Sequence, residues 1–270
     1  MTEESVSASP VIVAARKHVV LAAIASGTKV RTNRNAPGST LSRIQPVTCI
    51  LLPGGDLLTA AHTLPEGHLG AIRVKRDPAT GEFKMDTSGT IATGGPPIFI
   101  ILDGDVIRGR VSASETLGYS AAGAASRESI SVDWAVISPD KKMHWEKPVN
   151  MIARPTPGEA CFMIGYPIAM MDQRHFAFSG MHTKPDEIPW LGVPGAVIPG
   201  VIGTVEDDLI TIKTDTVLGS RARGLSGGGV FVTRNGRPAL VGIAVVSSNM
   251  TAKISACPLP EIVTRRFEQP

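Results

Sequence analysis

Gly224-Leu225-Ser226-Gly227-Gly228 places a hydroxyl among glycines, a setting in which serine can act as the nucleophile of acyl transfer. Gly-x-Ser-x-Gly describes two unrelated arrangements, one of them the strand-to-helix elbow of the α/β-hydrolases. Here Ser226 is followed by Gly227-Gly228-Gly229 and then Val230-Phe231-Val232, residues that disfavour a helix and favour a strand. The α/β-hydrolases also take their residues in the order Ser, acid, His, whereas the last histidine of this chain is His182, upstream of Ser226. A histidine serving Ser226 as base must therefore precede it, in the order His-Asp-Ser or in the subtilisin order Asp-His-Ser. The alternating helices and parallel strands that the subtilisin order would bring are not seen in the sequence.

Among the six histidines, His62 stands in Leu58-Thr59-Ala60-Ala61-His62-Thr63, where small residues directly after an apolar run let an imidazole approach a neighbouring element. His18 lies within an apolar run, His68 beside a glycine, and His144, His175 and His182 in polar stretches. The acid that orients such a ring must be rigid and shielded. Asp133 opens Val132-Asp133-Trp134-Ala135-Val136-Ile137, so its carboxylate is embedded in apolar sequence, where an unpaired charge is expensive. His62 is its expected partner, and an arginine or a strand-capping role is the alternative.

These residues need elements to hold them. Runs at 19–24, 47–52, 56–60, 98–102, 106–111 and 132–137 are short, β-branched and bounded by turn residues, and read as strands. A second series follows at 160–164, 197–205, 209–214, 230–233 and 239–246. Pro53-Gly54-Gly55 between two apolar runs signals a hairpin, which leaves His62 just beyond its second strand. The N-terminus carries a competing helix signal, with Ser9-Pro10 as cap and first-turn proline and Gly27 as C-cap, but Val19-Val20 and Ile24 favour a strand. The organisation expected is an N-terminal extension (1–18), a first β-barrel (19–137) with loop insertions near 77–97 and 112–129, a proline-rich linker (138–157), a second barrel (158–256) and a tail (257–270).

Together, Thr59-Ala60-Ala61-His62, Asp133-Trp134-Ala135-Val136 and Gly224-Leu225-Ser226-Gly227-Gly228 resemble the trypsin-like, chymotrypsin-fold serine peptidases, in the family's order. Pro157-Gly158-Glu159 leading to Ile164-Gly165-Tyr166-Pro167, and Leu240-Val241-Gly242-Ile243, are lesser echoes. The resemblance is strongest for disulfide-free bacterial and HtrA-type members, since Thr63 stands where others carry Cys. It implies an all-β fold of two antiparallel six-stranded barrels with the active site in the cleft between them. It also implies a serine endopeptidase in which Ser226 attacks, His62 shuttles the proton, Asp133 orients His62, and the backbone N–H groups of Gly224 and Ser226 form the oxyanion hole.

By the same resemblance Ser220 aligns with the floor of the primary specificity pocket and Val245, Val246 and Ser247 with its wall. The absence of an acid there disfavours Arg and Lys and leaves small or medium apolar side chains. Leu225 stands where zymogen-activated members have Asp, so activity without N-terminal cleavage is expected. Gly229 replaces the usual Pro. No metal or organic cofactor is required.

The chain has 270 residues, 43% hydrophobic and 19% charged, with 28 Gly and 21 Pro, enough for a large core and many turns. Its net charge of +3 is spread without a basic stripe, which argues against a nucleic-acid partner and leaves polypeptide as the expected one. Cys49, Cys161 and Cys257 have no metal-ligand spacing and are expected as buried small hydrophobes. Glu3 and Glu4 precede the first apolar stretch and Arg16-Lys17-His18 interrupts it, so an export signal is not apparent and the cytoplasm is favoured. No run reaches the roughly 20 apolar residues of a membrane-spanning helix. An esterase of this fold and a non-catalytic binding module are the competing functions, and the sequence leaves oligomeric state undetermined.

Overall fold

The computed structural model describes residues 9–26, 43–64, 74–76, 83–85, 98–102, 105–115, 132–145, 147–167, 195–206, 209–218, 222, 224–247 and 251–268. Helix α1 (Pro10–Arg16) opens on proline, whose fixed φ suits a first helical turn, and buries Ile12 and Ala15. Strand β1 (Val19–Ser26) follows at once, so the helix and strand signals of this segment are both used, one after the other. The helix ends at Lys17, well before Gly27, and Ser9 makes no side-chain cap.

Next come β2 (Arg43–Leu51), β3 (Leu57–Thr59), a small hairpin of β4 (Val74–Arg76) with β5 (Phe83–Met85), then β6 (Ile98–Leu102), β7 (Asp105–Glu115) and β8 (Trp134–Pro139). Six of these close into an antiparallel barrel in the order β1-β2-β3-β8-β7-β6. The second closed barrel consists of β9 (Ala160–Gly165), β10 (Ala196–Glu206), β11 (Leu209–Lys213), β12 (Gly229–Arg234), β13 (Arg237–Ser247) and β14 (Lys253–Pro258), in the order β10-β11-β14-β13-β12-β9. Closure removes the exposed strand edges that open sheets must otherwise protect. A short helix α2 (Glu261–Thr264), with Val263 buried, runs into a 3₁₀ turn at Arg265–Phe267.

Strand alternation divides the apolar residues among three cores. In β2 and β8, Val47, Cys49, Leu51, Ala135 and Ile137 fill the first barrel, while Ile50, Trp134 and Val136 face outward into a shared seam. In β9 and β12, Cys161, Met163, Val230 and Val232 fill the second barrel, while Phe162, Ile164 and Phe231 enter the same seam from the other side. Ile12 and Ala15 of α1 and Val263 of α2 complete it. These strands are buried on both faces, which is why they read as nearly unbroken apolar runs. The segment between the barrels is tied to both, with Val149 N donating to Leu51 O and Leu240 N to Met151 O, each at 2.9 Å.

Several sequence expectations need correction. Ser112–Ser129 was expected to be an insertion, but β7 continues to Glu115. Its register shifts between Val111 and Ala113, so Ser112 is a bulge whose hydroxyl bonds Val136 O, at 3.3 Å, and the polar residue is thereby accommodated in the sheet. The region 77–97 contains β5, and the rest of it lies outside the described residues. β8 extends to Pro139, and β14 runs through Pro258, past the position where the second barrel was expected to end. This strand carries little sequence signal because Lys253-Ile254-Ser255-Ala256-Cys257 lacks a β-branched run, although Ile254, Ala256 and Cys257 are buried.

Candidate active site

His62 lies in a single 3₁₀ turn, Ala61–Thr63, directly after β3. Ala60 and Ala61 are fully buried, so their lack of bulk is what lets the turn press against the barrel. β3 pairs antiparallel with β8, with Leu57 opposite Ile137 and Thr59 opposite Ala135. Continuing that register beyond the strand ends sets Ala61 against Asp133, one residue from His62. The strand pairing thus delivers the histidine turn to the carboxylate.

The contact is twofold. Asp133 Oδ1 accepts the His62 backbone N–H at 2.9 Å, and Oδ2 lies 2.5 Å from Nδ1. Asp133 is wholly buried, whereas 26% of the His62 side chain is exposed. An ionised carboxylate only accepts, so Nδ1 carries the proton and the neutral ring presents an Nε2 lone pair on its far side. Burial first, and then the Asp133 charge, push the thiol pKa of Cys257 in β14 up.

Ser226 occupies the turn leading into β12, where Gly224 and Gly227 have φ of +97° and +87°, the left-handed region that side chains resist. A Cβ on Gly227 would come within 2.3 Å of both Thr48 O and Thr59 Oγ1 and 3.3 Å of Ala60 N. The serine turn is therefore seated on the residues of the first barrel that lead into His62, and glycine is required for that approach. Gly227 N donates to Ala244 O, Gly228 N to Leu225 O and Leu225 N to Ala222 O, which fix the peptide planes around the serine. Because the Leu225–Ser226 peptide is trans and its carbonyl is held by Gly228, the Ser226 N–H points the opposite way.

The Ser226 hydroxyl donates to Val245 O at 2.7 Å. Val245 is skipped in the β13–β14 register between Ala244 and Val246, and the bulge frees its carbonyl to face the serine. Its side chain is buried in the seam, so Val245 meets the site through its backbone and does not offer a side chain as pocket wall. Val246 and Ser247 belong to β13, but their side chains, like the whole of Ser220, lie outside the described residues. Leu225 is buried in the second barrel's core and fits against Gly165, where an added Cβ would come within 2.7 Å of Leu225 Cδ1.

The sequence gives no sign of Thr48 or of the Val245 carbonyl, and it shows Thr59 only as part of Thr59-Ala60-Ala61-His62, without its bond. Thr59 Oγ1 donates to Thr48 O at 2.8 Å, and Thr48 Oγ1 to Gly224 O at 2.9 Å. Threonine inside a strand is ordinary, so residue type gave no signal of these bonds. Cys49, Cys161 and Cys257 are buried thiols, as expected.

No family model matches the chain, and no curated protein matches it. Among solved structures, the serine endoprotease from Yersinia pestis is 13% identical, with a TM-score of 0.51 over 100% of this chain and 68% of that one. The Rv3671c protease from M. tuberculosis, in its active form, is 16% identical, with a TM-score of 0.48 over 98% of this chain and 86% of that one. The closed barrels and the likeness to the Yersinia protein define the fold: this chain has a double β-barrel of the trypsin-like kind.

Proposed function

We propose that this chain is a serine endopeptidase working through His62, Asp133 and Ser226. The observation that carries the reading is the doubly bonded His62–Asp133 pair with the Ser226 turn seated on Thr59 and Ala60 beside it. In this mechanism the Ser226 hydroxyl leaves the Val245 carbonyl by rotating about Cα–Cβ and gives its proton to Nε2 of His62 as Oγ attacks the substrate carbonyl. Asp133 holds the Nδ1–H tautomer and stabilises the imidazolium. The tetrahedral oxyanion is received by the N–H groups of Gly224 and Ser226, a contribution of about 3 kcal/mol per donor. His62 then protonates the leaving amine, and water, deprotonated by the same ring, releases the acyl group from Ser226.

The Val245 bond favours a second reading, a binding module of the same fold, because in this rotamer the serine proton is committed to a backbone carbonyl. Incubation with a peptide library discriminates among the readings. Cleavage that disappears in Ser226→Ala supports the peptidase. Turnover of activated esters alone indicates an esterase, and no turnover of either indicates the binding module. The expected preference is for small or medium apolar residues before the cut bond, and a predominance of cuts after Arg or Lys would contradict it.

A further inference from the structure

We infer that Thr48 is a positioning residue that sets the oxyanion-binding turn of the second barrel from the first. The inference rests on the reading above, in which Gly224 supplies an oxyanion N–H. Thr48 is 1% exposed in β2, and its hydroxyl both donates and accepts. Oγ1 accepts the Tyr166 N–H at 3.2 Å, so its single proton goes to Gly224 O at 2.9 Å.

The Gly224 carbonyl belongs to the peptide whose N–H, on Leu225, donates to Ala222 O. Thr48 therefore clamps the second end of a peptide plane that sits next to the oxyanion donors on both sides. The clamp matters here because Gly224, at φ +97° and without a Cβ, has weak steric preferences of its own, and its orientation must come from its partners. Thr48 also accepts Thr59 Oγ1 through its carbonyl, and Thr59 leads into the His62 turn. One residue thus ties the oxyanion turn to the turn bearing the histidine, across the boundary between the barrels. Donors aimed at developing charge contribute only when their direction is fixed before reaction, so loosening this plane acts on the transition state more than on substrate binding.

The test uses full-length Thr48→Val, Thr48→Ser and Thr48→Cys, with active sites counted by exhaustive fluorophosphonate labelling. Valine keeps the shape and removes the donor, serine keeps it, and the thiol is a weak donor. The expected result is a fall in kcat of about 10- to 100-fold for Val, with KM within about threefold of the parent, recovery in Ser and an intermediate value in Cys. The acid limb of the pH–rate profile should be unmoved, because the hydroxyl does not touch His62. Should Val fail to fold, Ser against Cys reads the same order. Equal kcat per labelled site in every folded variant, with only thermal stability changed, would overturn the inference and leave the peptidase reading intact. A parent protein that neither labels nor cleaves would remove that reading and this inference with it.

Discussion

Asp133 holds His62 at two points, accepting from its backbone N–H at 2.9 Å and from Nδ1 at 2.5 Å. The first bond fixes the turn and the second fixes the ring, so both position and tautomer of the imidazole depend on one buried carboxylate. Asp133→Asn keeps the shape but presents an amide group to Nδ1–H and favours the wrong tautomer. The expected outcome is a loss of about 10,000-fold in kcat, with Tm little changed. Steady-state kinetics beside a thermal melt measure both.

Leu225 lies in the second barrel's core, and the N-terminal helix is already packed in the seam through Ile12 and Ala15. Trimming the N-terminus is therefore expected to damage the protein instead of activating it. Removing residues 1–17 deletes a buried isoleucine worth about 2 kcal/mol with its neighbours' contacts, and should lower Tm by about 5 °C or more. A scanning calorimetry trace and a kcat/KM measurement on the same sample check this. Higher activity after trimming would contradict it.

Much of the proposed site was legible because its three candidate side chains stand out from their surroundings: an acid just before an apolar strand, a histidine after two alanines, a serine among glycines. The barrel strands were legible for a related reason, since residues buried on both faces produce continuous β-branched runs. What escaped depends on backbone groups and long-range register. The Val245 carbonyl faces Ser226 because of a bulge, Ser112 remains in a strand because of another, and β14 is held by pairing with β11 and β13 more than by its own composition. Thr48 looks like any strand threonine until the second barrel is folded against it.

His18 is buried beside the seam, its Nδ1 3.0 Å from Lys147 O and its ring 6.4 Å from that of Phe231. Burial lowers its pKa below the usual 6.5, against the opposing effect of the Lys147 carbonyl. As pH falls through 6.5 the unfolded chain takes up a proton on His18 that the folded chain resists, so stability declines toward acid and recovers above about pH 6.5. The slope reaches at most about 1.4 kcal/mol per pH unit for this one group. Urea midpoints measured from pH 5 to 7.5 should show the decline in the parent and a shallower one in His18→Gln.

Burial pushes the Cys49 and Cys161 thiols up to about 12, and raises Cys257 as well. All three should resist iodoacetamide at pH 8 in the native state and react together in concentrated urea, because the thiolate is the nucleophile. Mass spectrometry counts the adducts. A thiol alkylated rapidly without denaturant would show that its site opens far below the cost of global unfolding.

The most direct test of the central claim is fluorophosphonate labelling of the full-length chain, with the adduct located by peptide mapping. One adduct on Ser226 is expected, abolished in Ser226→Ala and slowed by about 1,000-fold or more in His62→Ala. A Ser226 that stays unlabelled, or one that labels equally fast without His62, would contradict it.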